Sequence, residues 1–134
     1  MSYRLISANR PSALKGTSKK RANKYHAVKA TVDGIEFDSK KEAARYCQLC
    51  DLEHKGFIKN LERQVRYEIT PKMDIEGVKF RASYYIVDFK YVDTKTGQTI
   101  LEDVKGYHQG KAYDIWKLKA KIMAFRYGLV VREI

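Results

Sequence analysis

Asp88, Asp103 and Lys105 are the residues of this chain whose types and spacing could do chemistry, and they lie within YYIVDFKYVDTKTGQTILEDVKG, Tyr84 to Gly106. Tyr84 to Val92 is rich in aromatic and β-branched residues, Asp93 to Gln98 has turn chemistry, and Thr99 to Lys105 resumes the alternation. That pattern predicts a β-hairpin. Pairing Asp93 with Gln98 across a four-residue loop sets Asp88 directly opposite Asp103, on one face. Opposed carboxylates, with Cβ atoms about 4.5–5.5 Å apart, destabilise a strand pair unless something positive lies between them. A divalent cation would do so. Lys105 follows Asp103 by two residues, and the strand period carries its ammonium to the same face. The competing reading is a solvated strand face on which aspartate and lysine are plain charge partners.

At these residues the chain resembles the PD-(D/E)XK nuclease superfamily. Asp88 matches its first acidic position and Asp103-Val104-Lys105 its (D/E)-x-K, with Val87 in place of the proline. A longer series of blocks is similar to a phage-associated family first catalogued as a domain of unknown function and assigned to that superfamily. The blocks are Asp33-Gly34-Ile35, Phe37-Asp38-Ser39-Lys40-Lys41-Glu42-Ala43, Asn60-Leu61 with Gln64, Tyr85 to Phe89, and Glu102 to Gly106. The similarity spans roughly residues 24 to 134.

The resemblance implies an α/β fold with a restriction-endonuclease-like core, a mixed central β-sheet flanked by helices. It also implies a metal-dependent DNA endonuclease that hydrolyses phosphodiester bonds. Asp88, Asp103 and the Val104 carbonyl would hold Mg²⁺ or Mn²⁺, which prefer oxygen ligands. Lys105 would orient the attacking water or stabilise the phosphorane. The family's helical glutamate corresponds to Glu42, at the metal site or a second metal position, and a Lys or Gln on its second core helix corresponds to Lys119. A phage enzyme of this kind would act in the host cytoplasm, in DNA recombination, repair or replication. A Holliday-junction resolvase-like role on branched DNA would require a homodimer with two sites.

Positioning these residues requires helices on either side of the hairpin. The segment from Val28 to Phe37 alternates and is broken by Asp33-Gly34, which predicts a short hairpin leading into a helix from Asp38-Ser39 to about Lys55, with Gly56 as its stop. Ala43, Tyr46, Cys47, Leu49 and Cys50 form the apolar stripe of that helix, with Glu42 at its edge. Glu42 has two readings: the far end of a capping box with Ser39, or a carboxylate facing the hairpin. Ile58 to Thr70 reads as a strand ending at Pro71, with Gln64 a secondary site candidate. Residues 72–78 read as a turn, and Lys79 to Ser83 as the start of the strand that carries Asp88. His108 falls in a loop bordering the site and reads as an exposed loop histidine or, alternatively, a general base. The second helix, about Lys111 to Tyr127, shows Ala112, Ile115, Trp116, Ile122 and Met123 on its apolar side, with Lys119 in their midst. A lysine there either reaches the Asp88/Asp103 site or snorkels to an edge. Gly128 ends the helix, and a last strand runs from Leu129 to Ile134.

Length and charge set the frame. With 134 residues the chain holds one domain over residues 25–134, preceded by a basic tail at 1–24. Its 27 Lys and Arg against 16 Asp and Glu give a charge of +11, and no acidic residue precedes Asp33. That excess points to a polyanionic partner, DNA first, duplex or branched. Lys19, Lys20, Arg21, Lys24, Lys111 and Lys117 are the candidate contacts to its backbone, with plain solvated charge as the alternative. Neither a signal peptide nor a run of 18 apolar residues is present, so the expectation is a cytoplasmic protein with no membrane partner. Cys47 and Cys50 form a C-x-x-C inside a helix, which favours buried thiols over a redox or zinc motif. Other readings of the chain are a DNA-binding module of the same fold without catalysis, and an RNA-binding protein that stacks bases on some of its ten tyrosines.

Overall fold

The computed structural model describes residues 29–106 and 108–134. Lys19, Lys20, Arg21 and Lys24, the proposed tail contacts, lie outside the described residues. The chain opens with strands β1 (Ala30–Val32) and β2 (Ile35–Phe37), joined through Asp33 and Gly34 at φ 52° and 77°. Two consecutive positive φ angles match the twist of a tight hairpin. Helix α1 (Lys40–His54) follows, capped by the Ser39 hydroxyl, which accepts from the Glu42 N–H at 3.1 Å.

Strand β3 (Ile58–Thr70) leads to a hairpin absent from the sequence reading, β4 (Met73–Ile75) and β5 (Val78–Phe80). Glu76 and Gly77, at φ 54° and 82°, turn it. Residues 72–78 are therefore more than a turn, and Lys79 and Phe80 belong to β5. The strand that carries Asp88, β6, runs Ser83–Asp93 and is followed by β7 (Thr99–Asp103), α2 (Lys111–Tyr127) and β8 (Val131–Glu133).

The central sheet has the order β3-β6-β7-β8, antiparallel except for the parallel pair β7 and β8. It is a mixed sheet in an α/β fold. The β6–β7 register is the one the turn predicts: Val92 opposes Thr99 and Phe89 opposes Glu102, so the next position outward sets Asp88 against Asp103. The Asp93 side chain fixes the turn, accepting from the N–H groups of Lys95 and Thr96 at 2.8 and 3.2 Å.

Consecutive residues of β7 serve opposite layers. Ile100 packs with Phe37, Ala43 and Leu49 on the α1 side, and Leu101 packs with Trp116, Met123 and Val131 on the α2 side. On β6 the alternation breaks: Tyr85 and Val87 join the α2 layer, whereas Phe89 and Tyr91 join the α1 layer. The strand changes the layer it serves at Asp88. Opposite that point on β3, Gln64 has φ 51° and the ladder passes from Arg63–Phe89 to Val65–Val87.

On the α1 face, Glu102 is only 1% exposed and is held by Arg45 through two hydrogen bonds of 2.7 and 2.6 Å and by the Tyr91 hydroxyl. This bidentate pair anchors α1 to β7. Burial, followed by the bond and charge of Glu102, pushes the Tyr91 phenol up to about 12.

Two expectations about the helices are corrected. Cys47 is exposed and Cys50 half-buried, because Ala43 and Leu49 take the inner positions of α1. On α2, Trp116 and Met123 are buried, but Ile115 and Ala112 are exposed. Lys119 is half-buried at the margin of the true buried arc. Among the described residues no helix is long and apolar enough to cross a membrane.

Candidate active site

A cleft of about 720 Å³ opens between the start of α1, the outer half of β6, the end of β7 and α2. It is lined by Glu42, Asp88, Asp103, Val104, Lys105 and Lys119, so the residues singled out for catalysis share one space. Lys111 and Lys117 are exposed and do not line it. Lys117 pairs with Asp114 at 3.6 Å.

Asp88 sits where β6 changes layers, and both its oxygens have donors. Gln64 Nε2 donates to Oδ1 at 3.1 Å and the Val104 N–H donates to Oδ2 at 2.9 Å. Burial, reinforced by a hydrogen bond to Asp103 and by its charge, pushes the Asp88 carboxyl up to about 8, against the opposing Val104 N–H. Asp88 is therefore the carboxyl that carries a proton near neutral pH.

Asp103 is fixed from behind. Its Oδ2 accepts from the Tyr85 hydroxyl at 2.5 Å and pairs with Lys105 Nζ at 3.1 Å. Trp116 Nε1 donates in turn to the Tyr85 oxygen at 2.9 Å, and the Lys105 ammonium lies 5.0 Å from the Trp116 ring centroid. Burial and the Asp103 charge raise the Tyr85 phenol far above its ordinary range, so it stays a donor. Strand β8 holds the backbone of this segment: the Lys105 N–H donates to Ile134 O at 3.2 Å, and Ile134 N–H to Asp103 O at 2.9 Å. Lys41 Nζ donates to the Lys105 carbonyl at 3.0 Å.

Glu42 is 6% exposed and turns inward, where Gln64 Nε2 approaches its Oε1 at 3.4 Å. Only the Ser39 half of the capping box is present among the described residues. Burial, then the charge of Asp38, raises the Glu42 carboxyl above its ordinary value, with Arg63 and Gln64 opposing. Among the described residues no three Asp, Glu, His or Cys side chains lie close enough to hold a metal directly. Glu42 joins the aspartate pair through the Gln64 amide.

Sequence reasoning ranks Gln64 only as a secondary candidate and misses the part played by Tyr85 and Trp116. Gln64 bridges two carboxylates from a left-handed backbone conformation, which costs a non-glycine residue about 1–3 kcal/mol and marks a constrained position. Tyr85 and Trp116 read as core aromatics and are also the donors behind Asp103. His108 is exposed and pairs with Glu133, which also accepts from the Tyr113 hydroxyl at 2.9 Å. Those bonds tie the loop after β7 and the start of α2 to β8, and His108 does not line the cleft.

Chemically, the arrangement is a buried Asp103 beside a half-buried Asp88, with one ammonium on the pair, at the floor of a cleft carrying Lys41 and Lys119. Two opposed carboxyl groups with hard oxygen donors suit a divalent cation, which would displace the proton on Asp88. Neither a curated protein nor a solved structure matches the chain significantly. Over residues 22–133 it matches the model of the family described as a protein of unknown function (DUF1064), and the chain belongs to that family.

Proposed function

We propose that this cleft hydrolyses phosphodiester bonds of DNA with the help of Mg²⁺ or Mn²⁺, on a core of the restriction-endonuclease type. The observation that carries the reading is the Asp88–Asp103 pair with Lys105 Nζ 3.1 Å from Asp103, in a cleft lined by further lysines. Asp88, Asp103 and the Val104 carbonyl would hold the cation, with Glu42 in reserve behind Gln64. When bound, the ion supplies charge neutralisation and activation of water.

The chain's own residues do the remainder. Tyr85 and Trp116 fix the Asp103 carboxylate, and Gln64 and the Val104 N–H fix Asp88, so neither must reorganise when phosphate arrives. Lys105 places a positive charge where negative charge develops on the phosphoryl oxygens. Lys119, on the far wall, and Lys41 offset the charge of the incoming strand. A phage role in recombination, repair or replication, and resolution of branched DNA by a homodimer, belong to this same reading.

A second reading is a DNA-binding module of the same fold without catalysis. It is favoured by one observation: each aspartate already has two partners within the protein, a network that closes without a cation. Cleavage of a labelled panel of linear duplex, single strand, flap and four-way junction, with Mg²⁺, Mn²⁺ or EDTA, separates the two. The nuclease reading expects metal-dependent cutting that Asp88→Asn and Lys105→Ala abolish. Binding without cutting in either metal assigns the binding-module reading.

A further inference from the structure

We infer that Tyr84 and Ile86 form a platform for an unstacked base of a DNA strand whose backbone runs to the Asp88/Asp103 pair. The inference rests on the phosphodiester reading and narrows its substrate to DNA with unpaired nucleotides.

Three observations carry it. Tyr84 and Ile86 alternate with the buried Tyr85 and Val87, so they share one face of β6, and they are 39% and 52% exposed. Ile115, 55% exposed, stands on α2 in the same cleft. Apolar surface at the mouth of a charged site marks a ligand more often than a packing fault. The second observation is Arg66, whose guanidinium lies 3.5 Å from the Tyr84 ring centroid. Arg66 pairs with Ile86 across the β3–β6 ladder. It covers one side of the Tyr84 ring, orients it and adds positive charge to the stack.

The third observation is charge. Lys41, Lys105 and Lys119 line the same cleft, and the chain carries +11. A second copy would bring the same excess of positive charge to that cleft. A nucleic-acid strand is complementary in both respects, with phosphates for the lysines and flat apolar faces for the strip. Four steps along the strand take Tyr84 to Asp88, about 13 Å at 3.3 Å per residue, so a base on Tyr84 and a phosphate at the aspartates belong to the same short stretch of strand. In an intact duplex the base faces are already stacked and would leave the strip uncovered. An unpaired base at a single strand, flap or branch fills it.

The test measures binding separately from cutting. The full chain, in EDTA and at one fixed salt concentration, is titrated against a labelled oligothymidylate and a blunt-ended linear duplex, with anisotropy as the readout. Wild type is expected to favour the single strand. Tyr84→Ala should weaken that binding roughly tenfold, the range of one lost aromatic stack, with Ile86→Ser weaker in the same direction and the duplex changed less than about twofold. Both side chains are exposed, so the variants should fold, and circular dichroism checks this. Equal weakening on both DNAs, or none, overturns the platform, as does a shift in oligomeric state on sedimentation in place of a DNA effect. Single-strand preference that depends on Tyr84, with no cleavage in Mg²⁺ or Mn²⁺, keeps the platform and removes hydrolysis. Cleavage of every substrate unaffected by Tyr84→Ala does the reverse. Absence of binding to either DNA removes both.

Discussion

Raising the pH from 5 to 7 should destabilise the metal-free protein, opposite to the trend set by salt-bridged carboxylates. The cause is Asp88, whose carboxyl is pushed up to about 8 by burial and by Asp103. In the unfolded chain an aspartate titrates near 3.9. Between these values the native state holds a proton that the unfolded state lacks, so stability falls with pH by about 1.4 kcal/mol per unit. The contribution is complete below about pH 4 and is lost as the pH climbs through 8. Two units amount to roughly 2–3 kcal/mol, a fall in Tm of about 8 °C for a domain of this size. Glu42, raised in the same direction, adds to the slope. Glu133, held low by His108 and Tyr113, acts oppositely, but only near and below the ordinary glutamate range. Thermal melts in EDTA from pH 5 to 7, for wild type and Asp88→Asn, provide the assay. Asparagine cannot titrate, so the Asp88 part of the slope should vanish and the fall should be clearly smaller than in wild type. A wild-type Tm that is constant or rises, or an equal fall in Asp88→Asn, would refute the raised Asp88 carboxyl. At pH 8 millimolar Mg²⁺ or Mn²⁺ should raise the wild-type Tm, with a smaller gain at pH 6, where the ion must displace that proton.

Three further predictions concern the supports of the site. Tyr85→Phe removes the donor to Asp103 and leaves the Trp116 N–H buried without its acceptor; urea unfolding should show a loss of about 1–3 kcal/mol, and emission of Trp116, the sole tryptophan, should shift. Gln64→Gly relieves the backbone at φ 51° and deletes the amide between Glu42 and Asp88, so melts should show stability unchanged or raised by up to about 1 kcal/mol, while DNA cleavage falls at least about tenfold. Arg45→Met strands the buried Glu102 carboxylate and should cost about 3–5 kcal/mol; Arg45→Met with Glu102→Leu should recover most of that loss, read from the same urea curves.

The hairpin was legible because its determinants are local. Asp93-Thr94-Lys95-Thr96-Gly97-Gln98 sets the turn and the turn sets the register, so the Asp88–Asp103 opposition follows from counting. The Ser39 cap, the Gly128 stop and the Asp33-Gly34 turn are equally local, and those boundaries match the structure. Glu76-Gly77 carries the same kind of signal between MDI and VKF, but each flank is only three residues long, so the stretch reads as a turn alone. What sequence could not show depends on which layer covers a residue. A helical wheel centres the apolar arc of α2 near Lys119, but the sheet meets Tyr113, Trp116, Ala120 and Met123, leaving Ile115 to the cleft. Period-two alternation likewise assigns Tyr85, Val87, Phe89 and Tyr91 to one layer. The structure divides them at Asp88, opposite the left-handed Gln64. That change of layer bears most on function, because it half-buries a carboxyl within a largely apolar strand and brings the amide of the left-handed Gln64 to its side. Stability alone gives no reason for either feature, whereas a site that must hold two carboxylates together requires both.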